Sequence, residues 1–171
     1  MRRLVTRMIV RRLLPDIAAY FFDPGVRDAI QSRLLTALLA HSGPLIVVAH
    51  SMGTMIAYDV LHALGDAVDV RLWVTLGSPL GIAAVQDHLA RPLAVPGGVR
   101  AWRNFADRLD PVALDRTLSS EFAPAGFIRD AWIVNPSGLD PEGFNPHSGT
   151  GYLSHPAVRS AVRAAIASSG R

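Results

Sequence analysis

The chain contains the segment Pro44-Leu45-Ile46-Val47-Val48-Ala49-His50-Ser51-Met52-Gly53. An apolar run rich in β-branched residues ends in the small residue Ala49 and a short polar segment, and a helical pattern follows. This order predicts a buried strand that turns sharply into a helix. Ser51 is expected on the turn, with its hydroxyl exposed at the edge of a sheet and a helix N-terminus behind it.

Composition points to a folded chain without thiol chemistry. The 171 residues are enough for one domain with a sizeable core, and 50% of them are hydrophobic against 18% charged. All 17 basic residues are arginine, but the net charge is only +3 and no basic stripe predicts nucleic-acid binding. Because cysteine is absent, disulfides are excluded and a cytoplasmic location is expected.

Predicted strands and helices alternate along the chain. The expected strands are Leu45–His50, Val70–Leu76, Val99–Phe105 and Ile128–Val134. The expected helices span about 24–41, 52–64 and 82–89, and a last one begins near Pro156 and buries Val158, Val162 and Ile166. Residues 111–124 are expected to be irregular or helical, and residues 137–151 to form a loop. This alternation predicts an α/β fold with a mostly parallel sheet flanked by helices.

The N-terminal segment has a basic amphipathic pattern. Arginines at positions 2, 3, 7, 11 and 12 alternate with apolar residues at positions 4, 5, 8, 9 and 13. The pattern predicts a helix that packs one face on the domain, and contact with an anionic membrane surface is the alternative. No apolar run is long enough to span a bilayer.

Residues with catalytic chemistry follow three of the predicted strands. Ser51 follows the first strand, Asp107 and Asp110 follow the third, and His147 lies in the loop after the fourth. The carboxyl ends of parallel strands meet at one edge of a sheet, so we expect these side chains to lie close together. A serine becomes a nucleophile when a histidine takes its proton, and a carboxylate holds that histidine in the required tautomer.

Four motifs, in this order, resemble the α/β-hydrolase family of serine esterases and lipases. They are Ala49-His50-Ser51-Met52-Gly53, Thr75-Leu76-Gly77-Ser78-Pro79-Leu80, Asn104-Phe105-Ala106-Asp107-Arg108-Leu109-Asp110-Pro111-Val112 and His147-Ser148-Gly149-Thr150-Gly151-Tyr152. Together they cover roughly residues 45–165. The first is the G-x-S-x-G nucleophile turn with alanine in place of the first glycine.

The resemblance implies a Ser-His-Asp triad. Ser51 would be the nucleophile. His147 would be the base, with His155 as the alternative. Asp110 would be the orienting acid, with Asp107 as the alternative. The leading hypothesis is hydrolysis of a carboxylic ester through an acyl-enzyme. Two other hypotheses stay open: an acyltransferase that uses the same triad, and a non-catalytic binding module built on a hydrolase scaffold.

The front of the chain departs from the family pattern. The backbone N–H of Met52 is implied as one oxyanion donor, but no strand and loop that would supply a second donor precede Ser51. Three explanations compete. The chain is a fragment or has a misassigned start, a partner chain completes the site, or the protein has lost catalysis and kept the scaffold. The truncated sheet would leave the strand Leu45–His50 near an edge, where self-association or a partner is expected. We expect a single domain over residues 1–171, with helical segments in 1–43 and the hydrolase core in 44–171.

The remaining candidates have simpler interpretations. A serine in this position also serves as a helix cap, and His50 is expected to be structural. His41, His62 and His88 are expected at the surface. No cluster has metal-ligand spacing and no phosphate-binding loop occurs, so no metal or cofactor is expected. The loops 80–95 and 113–125 are apolar, which favours a small, partly apolar ester or acyl substrate.

Overall fold

The computed structural model describes residues 15–114, 117–136 and 145–168. The helices are α1 (residues 15–22), α2 (Pro24–Leu39), α3 (Gly53–Leu64), α4 (Ala83–Gln86), α5 (Gly149–Ser154) and α6 (Pro156–Ala167). The strands are β1 (Leu45–His50), β2 (Val70–Leu76), β3 (Trp102–Asp107) and β4 (Arg129–Ile133). The predicted amphipathic N-terminal helix lies outside the described residues.

The four strands form one parallel sheet in the order β1-β2-β3-β4. Their carboxyl ends are therefore aligned, with His50 opposite Leu76 and Leu76 opposite Phe105. β1 lies at one edge of the described sheet, and Val48 on it is 39% exposed. In residues 15–44, ahead of β1, the structure has two helices and no strand.

Helices cover both faces of the sheet, as the sequence predicts. One apolar cluster joins α1, α2 and α3 to the sheet and includes the stacked indoles of Trp73 and Trp102, whose ring centroids are 3.9 Å apart. The second cluster joins α5 and α6 to the opposite face through Tyr152 and Val158. Burial of these side chains supplies the main stabilisation of the fold.

A buried carboxylate ties α1 and α2 to α3. Asp59 on α3 accepts hydrogen bonds from the Tyr20 hydroxyl at 2.7 Å and from Arg27 at 2.7 Å, and also from the Ala90 N–H at 2.9 Å. At the start of α2, Asp23 caps the helix by accepting from the Val26 N–H at 3.1 Å, as its position before a proline predicts. These contacts hold α1 against the carboxyl edge of the sheet.

The structure corrects several predicted boundaries. β3 was expected at Val99–Phe105, but Val99 makes only an isolated bridge and the strand continues to Asp107. Residues 149–154 form α5 rather than loop, because the Ser148 hydroxyl caps them by accepting from the Gly151 N–H. The described part of residues 111–124 is irregular.

The buried face of α6 is also different from the predicted one. Val158 is buried, but Ile166 is 58% exposed and Ala165 is buried in its place. Seven residues make almost two complete helical turns, so position 165 returns to the face of Val158 and position 166 does not. Arg159 and Arg163 on the same helix face solvent. Within the described residues, no helix is both long and apolar enough to cross a membrane.

Candidate active site

Ser51 occupies the sharp turn between β1 and α3. Its φ is 55°, a left-handed conformation that costs a non-glycine residue about 1–2 kcal/mol. The turn is held by the Ser51 N–H, which donates to the Leu76 carbonyl at 3.0 Å, and by the Thr54 hydroxyl, which donates to the Ser51 carbonyl at 2.7 Å. No helix N–H uses the Ser51 hydroxyl, so the serine is not the cap of α3.

A chain of hydrogen bonds joins Ser51, His147 and Asp110. The Ser51 Oγ lies 2.8 Å from His147 Nε2, and His147 Nδ1 lies 2.9 Å from both carboxylate oxygens of Asp110. The residues are 96 and 37 positions apart in the sequence, and all three are buried. With Nδ1 donating to the carboxylate, Nε2 is left as an acceptor for the serine proton.

The two candidate aspartates have separate environments. Asp110 is buried and accepts from the Val112 N–H at 2.8 Å in addition to His147. Asp107 accepts from the backbone N–H groups of Leu109 and Asn135 and makes no contact with the imidazole. The structure therefore brings Asp110, and not Asp107, to His147.

Gly77 leaves the space that this arrangement needs. It has a φ of +52°, and a Cβ at this position would lie 2.6 Å from Asp110 Oδ2 and 3.1 Å from His147 Nδ1. Real Cβ atoms essentially never lie within 3.0 Å of another atom, so a side chain at position 77 would displace the Asp110 carboxylate. The sequence places Gly77 in a motif but gives no sign of this role, because the contact is made across the sheet edge.

Asn135 fixes the loop that carries His147. Its side-chain amide donates to the carbonyls of Pro146 and Ser148 at 3.0 and 2.9 Å, on either side of the histidine. Its own N–H donates to Asp107. Asn135-Pro136 reads in the sequence only as the end of a strand, so its anchoring role was missed.

His50 packs directly against the catalytic candidate His147. The ring centroids are 4.5 Å apart, and His50 Nε2 donates to the His147 carbonyl at 2.9 Å. Burial, followed by the nearby His147, lowers the pKa of His50 to about 4. His50 is therefore neutral at physiological pH and supports the site wall, which agrees with the structural role expected for it.

The other histidines lie away from this chain of hydrogen bonds. His155 caps α6, its Nδ1 accepting from the Ala157 N–H at 3.2 Å. His62 was expected at the surface but is half-buried, with Nε2 3.2 Å from the Pro92 carbonyl. His88 is exposed and lies against the Phe21 and Phe22 rings, and His41 is exposed as expected.

The backbone N–H of Met52 is available as a hydrogen-bond donor. It follows Ser51 at the N-terminus of α3, and it makes no hydrogen bond within the described residues. A free N–H beside the serine hydroxyl is suitably placed for negative charge that develops there. Among the described residues, no group of three or more metal-ligating side chains occurs.

An apolar cavity of about 460 Å³ adjoins the carboxyl edge of the sheet. Its walls come from α1, from the segment 79–88 that includes α4, and from residues 111–114 directly after Asp110. All the lining residues except His88 are apolar. Of the two loops expected to shape a pocket, the first contributes Ile82, Ala84, Val85 and His88, and the second contributes Leu114.

Comparison with known proteins agrees with the fold. The model of the alpha/beta hydrolase family matches residues 11–167, and the chain belongs to this family. Searches of curated proteins and of solved structures found no significant match. The family assignment confirms the predicted fold class and indicates a hydrolase.

Proposed function

We propose that the protein is a serine hydrolase that cleaves carboxylic esters, with Ser51 as nucleophile, His147 as general base and acid, and Asp110 as orienting carboxylate. The continuous hydrogen bonding from Ser51 Oγ through His147 to Asp110 carries this proposal. Membership of the alpha/beta hydrolase family supports it. The same geometry favours Asp110 over Asp107, and His147 over His155.

Acylation begins when Ser51 Oγ attacks the ester carbonyl carbon and His147 Nε2 takes the hydroxyl proton. The carbonyl oxygen becomes an oxyanion, which the Met52 N–H stabilises with the help of the α3 N-terminus. Asp110 stabilises the imidazolium without taking its proton. As the tetrahedral intermediate collapses, the ester C–O bond breaks and His147 gives the proton to the leaving alcohol.

Deacylation repeats these steps with water. His147 takes a proton from water as the water oxygen attacks the Ser51 acyl ester, and a second tetrahedral intermediate forms. Its collapse breaks the bond to Ser51 Oγ, which regains the proton from His147. The carboxylic acid leaves and the enzyme returns to its starting state.

The cavity beside Asp110 supports an ester with an apolar acyl or alcohol group. Pro79 and Val112 line it, and they come from the same two segments that hold Gly77 and Asp110 at the site. A cavity with almost wholly apolar walls favours hydrocarbon, because burial contributes about 25 cal/mol per Å² of apolar surface. The substrate would thus extend from Ser51 toward α1 and α4.

Labelling with a fluorophosphonate probe tests the nucleophile. The proposal expects stoichiometric labelling of Ser51, hydrolysis of p-nitrophenyl esters, and loss of both in Ser51→Ala. Ser160→Ala is the matched control, because Ser160 is exposed on α6, and it should behave as the wild type. A folded wild-type protein that neither labels nor hydrolyses any ester of a C2–C8 series contradicts the proposal.

Narrowing the cavity tests the substrate class. Ala83 and Ala84 are both exposed, but only Ala84 lines the cavity, so Ala84→Trp narrows the cavity and Ala83→Trp does not. We expect Ala84→Trp to raise KM for hexanoate and octanoate esters while leaving acetate hydrolysis unchanged, and Ala83→Trp to alter neither. Equal effects of Ala84→Trp on esters of every chain length would show that the cavity does not bind the acyl chain.

A further inference from the structure

The hydroxyl of Tyr152 lies between the two aspartates of the third strand end. It donates to Asp110 Oδ2 at 2.7 Å and accepts from the Asp107 N–H at 2.9 Å. The side chain is 0% exposed. Its ring also bounds the space at Gly77, where a Cβ would lie 3.0 Å from Tyr152 Cε2.

The direction of the Tyr152 hydrogen bond follows from its partners. An N–H can only donate, so the phenol oxygen accepts from Asp107 and its proton remains for Asp110. Burial, together with the charge of Asp110, raises the pKa of Tyr152 far above its ordinary value, so that the phenol stays protonated. Tyr152 is therefore a permanent donor to the carboxylate that faces His147.

This donor sits on the segment that carries the histidine. His147 is followed at once by Ser148, which caps α5, and the Tyr152 N–H donates to the Ser148 carbonyl at 3.0 Å. The short segment 147–152 therefore brings the imidazole and the phenol to the same carboxylate. A hydrogen bond to a charged group is stronger than one between neutral groups, so the phenol helps to set the carboxylate's orientation.

We propose that Tyr152 is a positioning residue that acts through Asp110: it fixes the carboxylate against His147 and disperses part of its charge, and it thereby sets the pH at which His147 takes up a proton. The inference rests on the proposed function for its catalytic meaning. Its electrostatic part concerns the resting protein and can be measured without turnover.

Within the described residues, four side chains surround the His147 imidazole directly or through Asp110. Asp110 and Ser51 are its hydrogen-bond partners, His50 packs on its ring, and Tyr152 reaches it through Asp110. The Asp107 carboxylate is held by backbone donors and does not touch the imidazole. Replacing Tyr152 by phenylalanine leaves the other three in place and removes one oxygen.

Tyr152→Phe is the first test, with Tyr58→Phe as the matched control. Tyr58 is equally buried, and its hydroxyl accepts from the Ala94 N–H and donates to backbone carbonyls, the nearest acceptor being the Pro92 oxygen. Both variants leave a buried N–H without an acceptor, so both should lose thermal stability. Only Tyr152→Phe should change the titration of His147.

Tyr152→Phe should raise the titration midpoint of His147. Without the phenol, more of the Asp110 charge acts on His147, which stabilises the imidazolium. We expect the NMR titration midpoint of His147, identified by its loss in His147→Gln, to rise by about 0.5–1 pH unit. The acidic limb of kcat/KM should move in the same direction and kcat should fall about 3- to 30-fold, because the carboxylate is less well held.

Replacing Tyr152 by 3-fluorotyrosine keeps the side chain and strengthens the donor. Here the midpoint of His147 should move down, opposite to Tyr152→Phe, and this variant serves even if the phenylalanine variant does not fold. An unchanged midpoint in either folded variant, or the same shift in Tyr58→Phe, overturns the inference. If fluorophosphonate fails to label Ser51 but the midpoints shift as expected, the proposed function fails and the tyrosine–aspartate coupling stands.

Discussion

Gly77 lies so close to Asp110 that a Cβ at position 77 would stand 2.6 Å from the Asp110 Oδ2 atom. The backbone after β2 therefore forms one wall of the space in which the carboxylate meets His147. The contact between Asp110 and His147 therefore requires that residue 77 have no Cβ atom.

Gly77→Ala should disable the site. The new methyl group displaces Asp110 and His147 as well as straining the backbone, so we expect kcat/KM to fall about 100-fold or more and the free energy of unfolding to fall by about 2–4 kcal/mol. Gly65 is the control, because it has the same φ of +52° and no atom within 4 Å of its Cβ position. Gly65 has a ψ of −125°, outside the left-handed helical region, so Gly65→Ala should cost about 1–3 kcal/mol and leave kcat/KM unchanged. Equal activity losses would contradict the steric explanation.

The two aspartates should separate cleanly in function. Asp110→Asn leaves His147 in the wrong tautomer, so we expect kcat to fall about 1,000-fold or more with the fold intact. In Asp107→Asn the side-chain NH2 group faces one of the two backbone N–H groups that the carboxylate binds, and that N–H loses its acceptor. We therefore expect the free energy of unfolding to fall by about 1–3 kcal/mol, and kcat to stay within about tenfold of the wild type. Steady-state kinetics and chemical denaturation measure both. The reverse ranking of kcat would make Asp107 the acid.

The alternative base is tested in the same way. His147→Ala should abolish ester hydrolysis. His155→Ala removes the side-chain cap of α6 and should cost about 1 kcal/mol of stability with kcat unchanged. A large loss of kcat in His155→Ala would show that the resting geometry is not the reacting one.

Because the backbone at Ser51 is strained, the Ser51→Gly protein should be more stable than the Ser51→Ala protein. Ser51 has a φ of 55°, which glycine adopts without the steric cost that alanine keeps. We expect Ser51→Gly to exceed Ser51→Ala in free energy of unfolding by about 0.5–1 kcal/mol. At Ser160 on α6 the order should reverse, because glycine disfavours a right-handed helix. Ser51→Gly that is less stable than Ser51→Ala would contradict the strained conformation.

The neutral imidazole of His50 makes stability depend on pH. Its pKa is about 4 in the fold against an ordinary 6.5, so between these values the unfolded chain binds a proton that the folded protein does not. The free energy of unfolding should therefore fall as pH decreases from 6.5 to 4, by at most about 1.4 kcal/mol per pH unit from this group. His50→Gln should have a shallower decrease in urea titrations across that range. Identical slopes would show that His50 is not buried as a neutral group.

The sequence predicts the local part of the site well. The apolar run before Ser51 predicts the strand and the turn, because adjacent residues determine both. The order of Ser51, Asp110 and His147 at strand ends predicts their meeting, since parallel strands align their carboxyl ends.

Long-range packing was beyond prediction. Tyr152 reaches an aspartate 42 positions earlier, and Asn135 holds the carbonyls on both sides of His147. Neither contact has a local signature. The same limit explains α5, whose glycine-rich sequence reads as a loop and becomes a helical turn once Ser148 caps it and Tyr152 is buried.

The proposed function depends on an acyl-enzyme that forms on Ser51 with His147 as the base. The most direct measurement is acid-quenched mass spectrometry of the protein mixed with p-nitrophenyl hexanoate, followed by peptide mapping. We expect a hexanoyl adduct on Ser51 that accumulates with a burst of p-nitrophenol and is absent from Ser51→Ala and His147→Ala. Ester turnover by the folded protein with no adduct on Ser51, or an undiminished adduct in either variant, would contradict it.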